Sequence, residues 1–168
     1  MLEARTERLV VRRFTFDDAA FILRLLNEPS FIDNIADKGV RDLQGARSYL
    51  RDGPIMSYER YGFGLWRVGL AIDDTPIGMA GLLKREYLED IDLGYALLPE
   101  FCGLGYAFEM TSTVMEYAKG HLQARRVLAI VNEGNKSSIR LLQKLGFENR
   151  GTCRIPGSID VQLFACDL

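Results

Sequence analysis

Apolar positions along the chain follow two rhythms. "ERLVVRRF" (7–14) has the β-branched, alternating character of a strand. "TFDDAAFILRLLNEP" (15–29) changes to helical spacing, with Phe21, Leu25 and Leu26 on one face and Thr15 placed as an N-cap. Pro29 is expected to end that helix. A loop with aromatic and apolar content, "SFIDNIADKGV" (30–40), leads to a second short helical pattern starting at Asp42, "DLQGARSYLRD" (42–52). Three strand-like runs come next: 61–72, which turns at Asp73-Asp74 into 76–86, and then 91–98. "GYAFEMTSTVMEYAKGHL" (105–122) predicts a helix, "RRVLAIV" (125–131) a short buried strand, and "NKSSIRLLQKLGF" (135–147) a helix opened by Asn135 and stopped by Gly146. Two closing strands, about 147–155 and 159–167, turn at Pro156-Gly157.

The chain contains no internal repeat, low-complexity stretch or linker, which predicts a single domain over 1–168. The strand–helix–strand unit at 91–131 predicts a parallel crossover, and the hairpins around it make the sheet mixed. In such sheets ligands bind at the carboxyl ends of the parallel strands, where "PEFCGLGYA" (99–107) falls.

Composition narrows the function. The chain has 168 residues, 48% of them hydrophobic, enough for one substantial core. A net charge of -2 with 26% charged residues argues against nucleic acid or an anionic membrane as partner. No apolar run reaches the length of a membrane span, and the start, "MLEARTERLVVRRF", is charged rather than signal-like, so a cytoplasmic protein is expected. The three cysteines (102, 153 and 166) show no CxxC spacing, and the single His121 leaves no multi-histidine metal site, so no metal is expected. Cys102, next to a helix start, has the position of a low-pKa thiol. Trp66, Phe63 and Tyr61 read mostly as core.

Gly103, Gly105 and Ala107 alternate where the apolar run ends and the helix begins. Small residues let a backbone approach a bulky ligand, and a helix start offers free N–H groups to an anion. A tight turn alone would also explain the glycines. A GxxxxGK[ST] phosphate loop needs a lysine and a hydroxyl after its glycine, but Tyr106 and Ala107 stand there. A GxGxxG fingerprint fails at Phe108.

The stretch "DLGYALLPEFCGLGYAFEM", followed by "RRVLAIVNEGNKSSIRLLQKLGF", resembles the GNAT superfamily of acyl-CoA-dependent N-acetyltransferases, and most of all the branch that includes RimJ and RimL. The resemblance rests on pairing the Gly loop with N-x-x-S-x-x-L-L-x-K-x-G-F at this distance. It implies an α/β fold of the α+β type: a central, mostly antiparallel seven-stranded sheet with one parallel β-α-β crossover and helices on both faces. It further implies acetyl-CoA as co-substrate. The loop Cys102, Gly103, Leu104, Gly105, Tyr106 and Ala107 would wrap the coenzyme A pyrophosphate, held by the amides of Leu104 to Ala107. The backbone of Tyr95, Ala96, Leu97 and Leu98 would pair with the pantetheine arm, and an amide from Tyr95 or Leu97 would polarise the thioester carbonyl. Asn135 would bond the pantetheine.

Two positions depart from the superfamily pattern. Cys102 stands where Gln or Arg is common, which removes a side-chain contact to phosphate. Leu142 stands where many members place a Tyr that protonates the leaving thiolate. In the RimJ/RimL-like branch that role has been assigned to a Ser at the position of Ser138. Asn135 and Ser138 also read as the capped first turn of a helix.

Acyl transfer needs a neutral amine, and the resemblance implies a carboxylate, often working through water, that takes its proton. Glu86 and Asp92 are the better candidates at the rim, where Glu89 and Asp90 also lie, and each also reads as a solvated strand-end charge. The expected activity is acetyl transfer from acetyl-CoA to a primary amine, a protein N-terminus or small molecule, in a ternary complex. A non-catalytic acyl-CoA-binding or regulatory module of the same fold is the alternative. A monomer or homodimer is expected.

Overall fold

The computed structural model describes residues 3–168; Met1 and Leu2, the first positions of the charged start, lie outside the described residues. Eight strands form one sheet in the order β1-β2-β3-β4-β5-β6-β8-β7. They are β1 (Ala4–Arg5), β2 (Leu9–Arg12), β3 (Leu65–Leu70), β4 (Pro76–Leu83), β5 (Asp92–Leu97), β6 (Arg126–Val131), β7 (Glu148–Arg154) and β8 (Asp160–Asp167). Every neighbouring pair is antiparallel except β5 and β6. The two-residue β1 is the one strand added to the seven expected.

The helices are α1 (Ala19–Leu26), α2 (Pro29–Asn34), α3 (Leu43–Leu50), α4 (Met56–Tyr61), α5 (Tyr106–Gly120) and α6 (Lys136–Lys144). A 3₁₀ turn over Phe16–Asp18 precedes α1, and the Thr15 N–H donates to the Asp18 carboxylate at 2.9 Å. Asp42 caps α3 by accepting from the Gly45 N–H at 2.6 Å. Two expectations need correction. Helix α1 stops at Leu26, and Pro29 opens α2 within the expected loop, because a proline at the first helical position loses no hydrogen bond. The chain from Arg51 to Tyr61 is helical, a π turn running into α4, although its mixed composition shows no helical period.

The strands read as continuous apolar runs because both sheet faces are covered. One face, with Trp66, Val68, Ala80, Leu82 and Leu93, packs under α5 and α6 through Met110, Val114 and Leu142. The other, with Leu65, Met79 and Ala96, packs under α1 and α3 through Ile22, Leu25, Ala46 and Leu50.

A buried ion-pair network ties α1 to the sheet. Asp18, 7% exposed, receives two hydrogen bonds from the Arg12 guanidinium at 2.8 and 2.9 Å, and Arg67, 4% exposed, approaches it at 3.3 Å. Burial pushes the Asp18 pKa up, but the hydrogen bonds from Arg12 and the Thr15 N–H, with the charges of Arg12 and Arg67, bring it below the ordinary value. Asp18→Asn leaves Arg67 buried with one partner fewer, so a loss of roughly 3–5 kcal/mol is expected in chemical denaturation. A lowered carboxylate pKa gives stability that is present above the unfolded value of ~3.9 and lost as pH falls through the folded one. The gap between the two proteins should therefore close on acidification below about pH 4.

Candidate active site

The site begins with the way β5 is paired. Against β4 its register is complete, from Gly78↔Leu97 to Leu83↔Asp92. Against β6 a single bridge, Asp92↔Leu128, is present, with the Leu128 N–H donating to the Ile91 carbonyl at 2.9 Å. Beyond it the two strands part. The Leu98 N–H donates to the Ile77 carbonyl at 2.8 Å, and alternation along an antiparallel ladder then turns Ala96 toward β4 as well. Tyr95 and Leu97 therefore present their N–H and C=O groups to the opening. Of the four backbone positions expected to face pantetheine, Tyr95 and Leu97 do so; Ala96 and Leu98 are committed to β4.

At the carboxyl end of β5 a 3₁₀ turn, Pro99–Phe101, leads into the glycine loop. Gly103 and Gly105 have φ of +76° and +84°, left-handed values that side chains disfavour. A Cβ on Gly103 would meet nothing within 4 Å, so the surface there is open, whereas one on Gly105 would meet Arg8 Nη2 at 3.2 Å. Helix α5 starts at Tyr106 with Gly105 as its N-cap and no side chain capping it, which leaves its first amides available to an anion.

Arg8, just before β2, holds this loop. Its guanidinium donates to the Leu104 carbonyl at 2.9 Å and to the Glu109 carboxylate at 2.7 Å, and lies 4.5 Å from the Tyr106 ring centre. The Thr6 hydroxyl also donates to Glu109, at 2.5 Å. The basic start of "ERLVVRRF" was the available signal for Arg8, but nothing local connects it to a loop 96 residues away.

Cys102 is exposed in the loop, its thiol 3.7 Å from the Leu98 carbonyl. Desolvation and the charge of Glu100 raise its pKa, which corrects the expectation of a low-pKa thiol. His121 is exposed and stacks on Tyr117. Among the described residues no group of three His, Cys, Asp or Glu could gather a metal ion.

Across the opening, Asn135 caps α6, its side-chain oxygen accepting from the Ser138 N–H at 3.3 Å. Its Nδ2 group has no protein partner among the described residues. The Ser138 hydroxyl points inward and is hydrogen-bonded to the Tyr95 hydroxyl. Leu142, one turn further, is core. Burial raises the Tyr95 pKa, and the bond to Ser138 opposes the rise.

The structure separates the two candidate bases. Strand β4 ends at Leu83, so Glu86 does not end a strand; it is exposed in the following loop. In that loop Asp90 is bound by Arg126 at 2.7 Å. Asp92 is fully buried, with Arg85 Nε 3.3 Å from Oδ2 and neither oxygen hydrogen-bonded. Burial, only partly offset by Arg85 and Lys84, pushes its pKa up to about 6. Asp92 shares its strand face with Ala96, toward α1 and α3, whereas Tyr95 lies on the face toward α5 and α6. On the Asp92 side, Tyr49 of α3 lies in the field of Arg85, and burial pushes its phenol up to about 12.

This geometry has known counterparts. Residues 8–148 match the family described as "Acetyltransferase (GNAT) domain". The chain is 29% identical over 154 residues to the uncharacterized N-acetyltransferase YoaA of Bacillus subtilis, covering 89% of this chain and 84% of the relative. Its fold is similar to that of an acetyltransferase from Agrobacterium tumefaciens (TM-score 0.84, 19% identity, 100% and 95% of the two chains). It is also similar to RimL, a ribosomal L7/L12 alpha-N-protein acetyltransferase crystallised with coenzyme A (TM-score 0.85, 16% identity, 100% and 98%). The chain belongs to the GNAT acetyltransferase family, enzymes that move an acetyl group from acetyl-CoA to an amine.

Proposed function

We propose that this single-domain chain transfers acetyl directly from acetyl-CoA to an α-amino group, such as a peptide N-terminus, with both substrates bound together. The observation that carries the reading is the one-sided pairing of β5, which opens a slot ending at the bare start of α5. An extended pantetheine arm can add to the free edge of Tyr95 and Leu97 like a strand, with the pyrophosphate at the amides of Leu104 to Ala107. A backbone N–H on the same edge, from Tyr95 or Leu97, meets the thioester oxygen as it gains charge. The unpaired Nδ2 of Asn135 is available to the arm while Oδ1 caps α6.

Asp92 is the base, taking the amine proton through a bridging water because the carboxylate itself is not exposed. The amine pKa favours one acceptor class: with the carboxyl pushed up to about 6, deprotonating an α-amine of pKa ~8 is uphill by about 3 kcal/mol, and a lysine of ~10.4 by about 6 kcal/mol. The similarity in fold to RimL, whose name gives an α-N-protein acceptor, supports the same class.

Coenzyme A release, with mass detection of the product, tests this reading against N-terminal peptides, lysine-blocked and N-terminally blocked peptides, and polyamines. Turnover is expected with free α-amines. Tight acetyl-CoA binding without turnover on any amine would instead support a non-catalytic acyl-CoA-binding module.

Asp92→Asn should lower kcat by about 10²- to 10⁴-fold and remove the decline in rate below pH ~6. A carboxyl whose folded pKa is raised stabilises the fold fully below its unfolded value and loses that contribution as pH rises through the folded one. The variant should therefore melt higher than wild type at pH 8, and the difference should shrink toward pH 4. A lower melting temperature at pH 8 would reduce Asp92 to a partner of Arg85.

Arg8 offsets Glu109, whose charge stands in the first turn of α5 where the pyrophosphate binds. Arg8→Ala should weaken coenzyme A binding about tenfold in calorimetry, and Glu109→Gln in the same chain should restore part of it. Unchanged affinity would detach the N-terminal hairpin from the site.

A further inference from the structure

We infer that the Tyr95 hydroxyl is the proton donor to the departing thiolate and that Ser138 acts through it, as a positioning residue. This rests on the acetyl-transfer reading above and names the residue that completes it. Three observations carry it. Tyr95 stands on β5 at a position whose backbone faces the slot, so its side chain leaves the strand beside the path of the thioester. Its hydroxyl crosses from β5 to the first turn of α6 and meets the Ser138 hydroxyl there. Leu142, one turn after Ser138 on the inward face, is core, and Ile139 and Leu145 pack against the same cluster, so no other inward side chain there carries a proton.

The chemistry of the two hydroxyls assigns the order. A phenol is a far stronger acid than an aliphatic hydroxyl, so of two groups sharing one hydrogen bond the phenol gives up its proton to an outside base. Ser138 then donates to the phenol oxygen and stabilises the charge that develops on it, consistent with its downward pull on the Tyr95 pKa. Burial keeps the phenol protonated at neutral pH, so the proton is in place before reaction.

The step balances. The amine, made neutral by loss of one proton through water to Asp92, bonds through nitrogen to the thioester carbonyl carbon. Its second proton passes to solvent water as the amide forms, and the C–S bond breaks with its electron pair on sulfur. The Tyr95 proton goes to sulfur, giving the free thiol. The phenolate is reprotonated from solvent through the Ser138 hydroxyl. Strand alternation keeps this proton on one face of β5 and the base, Asp92, on the other, so the incoming amine and the leaving thiol are served from opposite sides.

The test uses the full chain, acetyl-CoA and an amine that wild type acetylates, with Tyr95→Phe, Ser138→Ala and the double variant. Tyr95→Phe keeps the ring volume and should lower kcat about 10²-fold, with KM for acetyl-CoA changed less than about threefold. The fall in kcat that ionisation of the phenol produces at high pH, displaced upward by its burial, should disappear with it. Ser138→Ala should cost roughly tenfold, and the double variant should be no slower than Tyr95→Phe alone, because Ser138 works only through the phenol. Wild-type kcat in Tyr95→Phe would overturn the inference and leave the acetyltransferase reading standing. A full loss in Ser138→Ala with little change in Tyr95→Phe would overturn it in favour of direct donation by Ser138. Equal drops in melting temperature without a kcat change in either would reduce the contact to packing. Absence of wild-type turnover on every amine would overturn the acetyl-transfer reading, and this inference with it.

Discussion

The opening in the sheet depends on a strand that, past Asp92, is hydrogen-bonded on one side only. A backbone donor in the interior of a sheet normally finds a partner, because leaving it unpaired costs about as much as a lost hydrogen bond. Here β6 pairs with β5 once, at Asp92↔Leu128, and then leaves. The complete register with β4 holds β5 straight meanwhile, so its outer edge stays extended and its free groups stay aligned. An extended, amide-bearing arm can meet such an edge with little reorganisation. Coenzyme A carries such an arm. The uncapped start of α5 and the capped start of α6 flank the same opening.

Two buried aspartates show how differently one fold treats the same side chain. Asp18 is enclosed by a bidentate arginine, a second arginine and a backbone N–H, and these overcome its desolvation. It fastens α1 to the sheet. Asp92 has an arginine at 3.3 Å, no hydrogen bond to either oxygen, and a pKa pushed the other way. Its ionised form is a standing cost to stability near neutral pH. Such a cost is what a site would tolerate if Asp92 serves as the proposed base, since a raised pKa makes a carboxylate a better proton acceptor.

The glycine loop balances opposite demands in a similar way. Bare backbone and two left-handed glycines open the start of α5 to an anion, and they also remove the side chains that would hold the loop in place. Arg8 supplies the hold from outside the loop, bonding its carbonyl backbone rather than its amides. The amides stay free, and the positive charge stays within reach of the same region.

The sequence by itself determined the order of β2 to β8 with α1, α3, α5 and α6, the caps at Asp42 and Asn135, the turn at Gly103 and Gly105, and the family resemblance carried by 92–110 and 125–147. The first three rest on periodicity, capping and backbone preference within a few residues; the resemblance rests on the pairing of the Gly loop with N-x-x-S-x-x-L-L-x-K-x-G-F. Where local signals conflicted, the reading failed: Pro29 serves equally to end one helix or start the next, and 51–61 is helical without a helical pattern. Only the tertiary structure separated Asp92 from Glu86, since desolvation depends on what packs above a carboxylate and not on its neighbours in the chain. The same holds for Arg8 on a loop 96 residues away and for Tyr95 meeting Ser138 across 43. Those contacts are set by where β5 and β6 part, and that is decided by the packing of the whole sheet.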